Sequence, residues 1–200
     1  MTNSTSTSPL SAESTADQGY RLLLMRHAKS DWSDGDLTDH NRPLNDRGLR
    51  DAPTMARWLA ESGVLPDQIL CSSAARTQQT AALMQSYWEN TKQETAKLQV
   101  LPQLYLSPAE TILETVQELG AGFGDADAQK PRTILVLAHN PGISHAASSL
   151  LGHPTGLPTA ALVVLQCLVS GWAEPLTSEN TQLIVEMTPK SIQRDGWRPA

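Results

Sequence analysis

Apolar residues fall into short blocks along this chain, and the spacing inside each block predicts its element. Tyr20 to Met25 is a short, mainly apolar run bounded by polar sequence, the pattern of a strand covered on both faces. Gln68 to Cys71 repeats it, and Thr133 to Ala138, β-branched and uncharged, is its clearest case. Val100-Leu101, Ala160 to Leu168 and Leu183 to Met187 predict further strands. Between the strands the period changes. Leu49, Ala52, Met55, Ala56 and Leu59 recur at helical spacing behind a capping Asn45 and ahead of Gly63. Pro53 inside that pattern predicts a kink, or a later start near Asp51. The alanine-rich stretch from Ala74 to about Trp88 reads as a second helix. Ser107-Pro108-Ala109-Glu110 is a helix start, with a Ser cap, Pro in the first position and acid in the first turn; this helix runs to Leu119. Pro141 opens a fourth helix that stops at Gly152. Residues 29–45 and 120–131 are polar and read as loops. Strands alternating with helices predict an α/β fold, with a mostly parallel central sheet covered on both faces. Residues 1–19, rich in Ser and Thr, are expected to form a disordered tail before a single domain spanning 20–200.

Charge and composition narrow the function. The chain has 200 residues and a net charge of −6. That excludes a general nucleic-acid binder, which needs a positive surface, but allows a small anion in a locally basic pocket. No stretch is apolar for long enough to cross a bilayer, and the tail lacks the apolar region of a secretory signal. Cys71 and Cys167 lie within apolar runs and read as buried thiols, which points to a reducing, cytoplasmic setting.

Chemistry concentrates at strand ends, where open α/β sheets place ligands. Arg26-His27 closes the first strand, Arg76 opens the helix after the second, and His139 closes the strongest strand. Phosphoryl transfer needs an in-line nucleophile and fixed donors for the phosphoryl oxygens. His27 suits the first task, because a neutral ring nitrogen can attack phosphorus at physiological pH. Arg26 and Arg76 suit the second, because a guanidinium fork matches two phosphate oxygens. Free amides of the helix start beside Arg76 would add to its pull. His139, protonated on both nitrogens with help from a bound dianion, would donate to a phosphoryl oxygen. The other polar residues carry plainer expectations. His40 is solvated in its loop, His145 packs or faces solvent, and His153 belongs to a turn. Arg47 ties the loop to the helix. Ser72 and Ser73 lack a Gly-x-Ser-x-Gly elbow and cap the helix bearing Arg76. Trp32 is placed at the pocket mouth.

Four motifs occur in order: Arg26-His27-Ala28; Arg42-Pro43-Leu44-Asn45-Asp46-Arg47-Gly48; Ser72, Arg76 and Thr80; and Val136-Leu137-Ala138-His139-Asn140-Pro141. With them the chain resembles the histidine phosphatase superfamily, also called phosphoglycerate mutase-like, from about Arg21 to Ile192. Ala28-Lys29-Ser30-Asp31-Trp32 and Pro189-Lys190 are similar to its SixA-type phosphohistidine phosphatase branch. The resemblance implies a three-layer α/β/α sandwich and a phosphorylated His27. It also implies a phosphate pocket completed by Arg26, Arg76 and His139, with Arg42 as a fifth, substrate-binding member, and no metal or cofactor. The implied substrate is a phosphohistidine-containing protein or a small phosphorylated molecule. A phosphoprotein-binding module without turnover is the alternative from another class, and a retained nucleophile weighs against it. Two departures stand out. Lys29 and Ser33 occupy places where broader relatives carry Glu and Asn. The segment Leu101-Pro102-Gln103-Leu104-Tyr105 has no carboxylate where mutases keep an acid, and the next one is Glu110. An alkoxide leaving group needs a proton, so this absence favours a phosphohistidine substrate over esters.

Overall fold

Leu22 and Leu24 project to one side of the first strand, Leu23 and Met25 to the other, and this alternation builds two separate cores. The computed structural model describes residues 19–121 and 132–194. The strands are β1 (Tyr20–Arg26), β2 (Gln68–Ser72), β3 (Lys97–Leu101), β4 (Thr133–Ala138), β5 (Leu162–Cys167) and β6 (Thr181–Met187). The helices are α1 (Asp46–Glu61), α2 (Ala75–Asn90), α3 (Ala109–Ala121), α4 (Gly142–Leu151) and α5 (Pro189–Arg194). The sheet order is β3-β2-β4-β1-β5-β6. Its first four strands pair in parallel, while β5 runs antiparallel to both β1 and β6. Ile112 and Val116 of α3 and Ile143 and Leu150 of α4 pack against Leu22, Leu24, Leu70 and Val136 on one face. Met55 and Leu59 of α1 and Met84 and Trp88 of α2 pack against Leu23, Met25, Ile69 and Leu135 on the other. The expected mostly parallel, three-layer α/β/α arrangement is what forms.

Several boundaries move for identifiable reasons. Helix α1 starts at Asp46, not near Asp51, and runs through Pro53. Asn45 caps it by accepting from the Gly48 amide at 3.0 Å. An internal proline costs about 3 kcal/mol, and burial of Met55, Trp58 and Leu59 at roughly 1.5–3 kcal/mol each outweighs it. A side chain at Gly48 would collide with the Lys29 carbonyl, so this glycine lets the loop after β1 lie directly on the helix start. In α3 the cap falls on Pro108, whose carbonyl takes the Ile112 amide at 3.3 Å, and Ser107 bonds back to Leu104 instead. Strand β5 starts later than Ala160, which holds a left-handed φ of 60° and donates to the Arg26 and His27 carbonyls. The tail expected over 1–19 lies, apart from Gly19, outside the described residues, as does the loop expected over 120–131 beyond its first two residues.

Candidate active site

Strand register brings the motifs level. Arg26 pairs with Ala138 across β1 and β4, and Cys71 pairs with Leu137 across β2 and β4. His27 and His139 are therefore the next residues out on neighbouring parallel strands, and Ser72 closes the strand beside them. Their rings sit with centroids 5.0 Å apart. Arg76 reaches across from the first turn of α2 and bonds to both: its Nε donates to His27 Nε2 at 3.3 Å, and its Nη2 meets His139 Nδ1 at 3.2 Å. His27, Arg76 and His139 are all buried. They face a cavity of about 250 Å³, lined also by Arg26, Lys29, Ser30 and Trp32.

The hydrogen bonds decide the tautomers. His27 Nδ1 lies 2.7 Å from the Ala28 carbonyl, which can only accept, so Nδ1 carries the proton. Its Nε2 is unprotonated, and its lone pair takes the Arg76 Nε hydrogen bond. His139 Nδ1 accepts from Arg76, so its Nε2 carries the proton and donates to Ser72 Oγ at 2.7 Å. Burial pushes the His27 pKa down to about 4, against an opposing effect of the Ala28 carbonyl, and Arg76 and Arg26 push it further down. Burial likewise lowers that of His139 to about 3, reinforced by His27 and Arg76. Both rings are neutral at pH 7. The doubly protonated His139 expected from sequence therefore requires a bound dianion.

Supporting contacts explain the motif spacings. Thr80 Oγ1 takes the Ala28 amide at 3.1 Å and donates to the Arg76 carbonyl at 2.7 Å, locking the residue after His27 to the turn that carries Arg76. The Leu157 carbonyl accepts from Arg26 Nη1 at 3.1 Å and from Asn140 Nδ2 at 3.0 Å. Ser72 is not a helix cap in the main: Ala74 holds the cap position of α2 without a side-chain bond, and the Ser72 hydroxyl is spent on His139. Ser73 goes to His40 Nε2 at 2.9 Å. His40 is accordingly not merely solvated, since it also packs edge-on against Tyr105 at 4.8 Å. His145 is exposed on α4, and Arg47 pairs with Asp51 inside α1, not with the loop.

Arg42 is the expected member that does not line the cavity. Its guanidinium stacks 3.7 Å from the centroid of Trp32, with Nε and Nη1 buried and without hydrogen-bond partners. Trp32 does stand at the mouth, 64% exposed. The sequence reading missed two residues. Asp39 places its Oδ2 2.9 Å from Arg76 Nη2 and 2.8 Å from the Tyr105 hydroxyl, and its carbonyl takes Arg76 Nη1. Partial burial raises the Asp39 pKa, but Tyr105, Arg76 and Arg42 outweigh it and hold the carboxyl below its usual range. The only signal for Asp39 was its place in a long loop next to Arg42. Tyr105 had only its place in the segment where mutases keep an acid, and the β2–β3 pairing brings that segment to the site.

The profile of the histidine phosphatase superfamily (branch 1) matches residues 22–101, which hold Arg26, His27, Arg42 and Arg76. Relatives extend the match along the chain. An uncharacterized chloroplastic protein of Arabidopsis thaliana is 36% identical over 179 residues, 86% of this chain and 81% of its own. The chain belongs to the histidine phosphatase superfamily. An uncharacterized protein of Mycobacterium tuberculosis is 31% identical across 75% of this chain and 90% of its own. Among solved structures, a candidate SixA phosphohistidine phosphatase from Nakamurella multipartitia superposes with a TM-score of 0.65 at 26% identity, covering 85% of this chain and 96% of that one. The protein histidine phosphatase SixA complexed with tungstate gives a TM-score of 0.66 at 21% identity over 86% and 99%, a likeness of fold.

Proposed function

We propose that this protein is a metal-independent phosphohistidine phosphatase of the SixA type, with His27 as its nucleophile. The observation that carries the reading is the fixed tautomer of His27. Its Nδ1 proton is held by the Ala28 carbonyl, so the Nε2 lone pair faces the cavity among cationic donors. His27 Nε2 attacks phosphorus, and Arg26 and Arg76 take the phosphoryl oxygens. The dianion draws a proton onto His139, which then donates to a third oxygen. Because Nδ1 keeps its proton, phosphorylated His27 is an imidazolium, a good leaving group when water attacks. Arg42 has two unpartnered nitrogens and swings from Trp32 to the phosphate as its outermost ligand. A shallow mouth bounded by exposed Trp32 and Leu106 suits a phosphohistidine offered by another protein. That tungstate, a tetrahedral oxyanion, was bound to a SixA of this fold supports the same kind of ligand. The buried, unpaired thiols of Cys71 and Cys167 support a reducing, cytoplasmic setting.

The test is a single-turnover assay with a phosphohistidine-bearing protein in excess chelator. The expected outcome is phosphate release through an acid-labile phosphoenzyme that His27→Ala does not form. Turnover that needs added metal, or that survives His27→Ala, sinks the reading.

A further inference from the structure

Asp39 is the one carboxylate among the described residues lining the cavity, and Glu110, the acid nearest in sequence to the expected place, is exposed and does not line it. Every nitrogen of Arg76 is engaged. Nε goes to His27, Nη1 to the Asp39 carbonyl, and Nη2 to the Asp39 carboxylate and His139. A phosphoryl oxygen seated on Arg76 Nη2 therefore displaces the Asp39 carboxylate. The root of its loop stays pinned by Asp31 donating to the Pro43 carbonyl at 2.8 Å, so the displaced side chain remains at the site. The Asp39 side chain is 41% exposed, which leaves it room to turn toward the mouth.

We infer that Asp39 is the proton donor to the leaving group, a catalytic residue that extends the activity to phosphate monoesters with poor leaving groups. The inference rests on the phosphatase reading above. Asp39 faces Arg76 and Tyr105, with Arg42 close enough to act on its charge and the neutral His139 beyond. In the free pocket these groups keep it ionised. Substrate binding removes the Arg76 pairing and sets a dianion beside it, and both changes favour uptake of a proton from solvent. In the first step His27 Nε2 bonds to phosphorus as the ester P–O bond breaks, and the Asp39 proton moves to the departing oxygen. In the second step water attacks phosphorus, its proton returns to the Asp39 carboxylate, and the P–N bond electrons go back to Nε2. The sum is ester plus water giving alcohol and hydrogen phosphate, with Asp39 again protonated until product leaves.

The experiment compares wild type and Asp39→Asn on p-nitrophenyl, phenyl and glycerol phosphates. The expected loss in kcat/KM grows along that series, from about 3-fold to more than about 100-fold, the usual scale of general acid catalysis. Phosphoenzyme formed from p-nitrophenyl phosphate should also persist longer in Asp39→Asn. An equal loss for all three esters would make Asp39 a positioning residue. An equal gain would make it only a competitor for Arg76. Either outcome overturns the inference. Tyr105→Phe is the second variant: removing a donor to Asp39 should move the basic limb of the glycerol phosphate profile upward, and an unmoved limb counts against it. A wild type that cleaves phosphohistidine but no alkyl ester defeats this inference alone. A wild type inert toward all of them defeats the phosphatase reading itself.

Discussion

The pocket has two halves built on different principles. One half stands at the ends of β1, β2 and β4: His27, Arg76 and His139 are 6%, 4% and 2% exposed and bonded to one another. The other half hangs on the loop between β1 and α1: Trp32 is 64% exposed, and Arg42 has two nitrogens without partners. Sheet register fixes the first half before any ligand arrives, so its geometry is pre-organised for charge that develops on phosphorus. The second half holds its side chains in partly exposed contacts. Asp39 sits on Arg76 and Arg42 on Trp32. On the proposed function, the difference gives attack on phosphorus to the strand ends, and substrate admission and proton supply to the loop.

The sharpest way to break this division is to remove the proposed nucleophile. His27→Ala should lower kcat for p-nitrophenyl phosphate by about 10⁴-fold or more, as loss of a nucleophile does elsewhere. A loop substitution with a larger effect would invert the comparison. Arg76→Ala comes next. It removes a side chain that touches both imidazoles, and a single charge-stabilising donor is worth about 10²–10³-fold in rate. Inorganic phosphate should also inhibit the variant more weakly. An unchanged rate would take Arg76 out of the pocket.

The same division explains what could be read in the sequence. β1, β2 and β4 were legible because buried parallel strands are continuous apolar runs, and residues ending such runs are forced together by register. Sequence alone therefore located His27, Arg76 and His139. It misassigned Ser72, because a serine before a helix looks like a cap, and only the fold reveals that His139 arrives 2.7 Å away. Asp39 and Tyr105 meet through tertiary packing of a loop against the segment after β3, which leaves no periodic trace. Pro53 misled in the opposite sense: its local penalty was clear, but the burial that outweighs it was not.

The buried half should also leave a mark on stability. Unfolded histidine protonates near pH 6.5, whereas folded His27 and His139 do so only near about 4 and about 3. As pH falls through 6.5 the unfolded chain takes up protons that the folded chain refuses, so stability present above that pH is lost until the folded values are reached. The loss should be on the order of 2 kcal/mol per ring, read from urea unfolding at pH 7, 5.5 and 4. His139→Gln should flatten the dependence whatever its effect at pH 7. A slope equal to that of wild type would mean that His139 titrates alike in both states.

The smallest effect belongs to the loop and sharpens the comparison most. Arg42 stacks on Trp32 and does not line the cavity, so Arg42→Ala should leave the His27 and His139 geometry intact. If Arg42 turns inward only when Asp39 yields Arg76, it adds one partly solvated contact to the phosphate. Such a contact is worth about 1 kcal/mol, or about five-fold, and should appear in KM with little change in kcat. Tungstate binding by calorimetry measures it without turnover. A loss as large as that of Arg76→Ala would mean that Arg42 holds the transition state directly and that the loop closes fully during the reaction. No loss in either KM or tungstate affinity would leave Arg42 as the support of Trp32 and confine phosphate recognition to the strand ends.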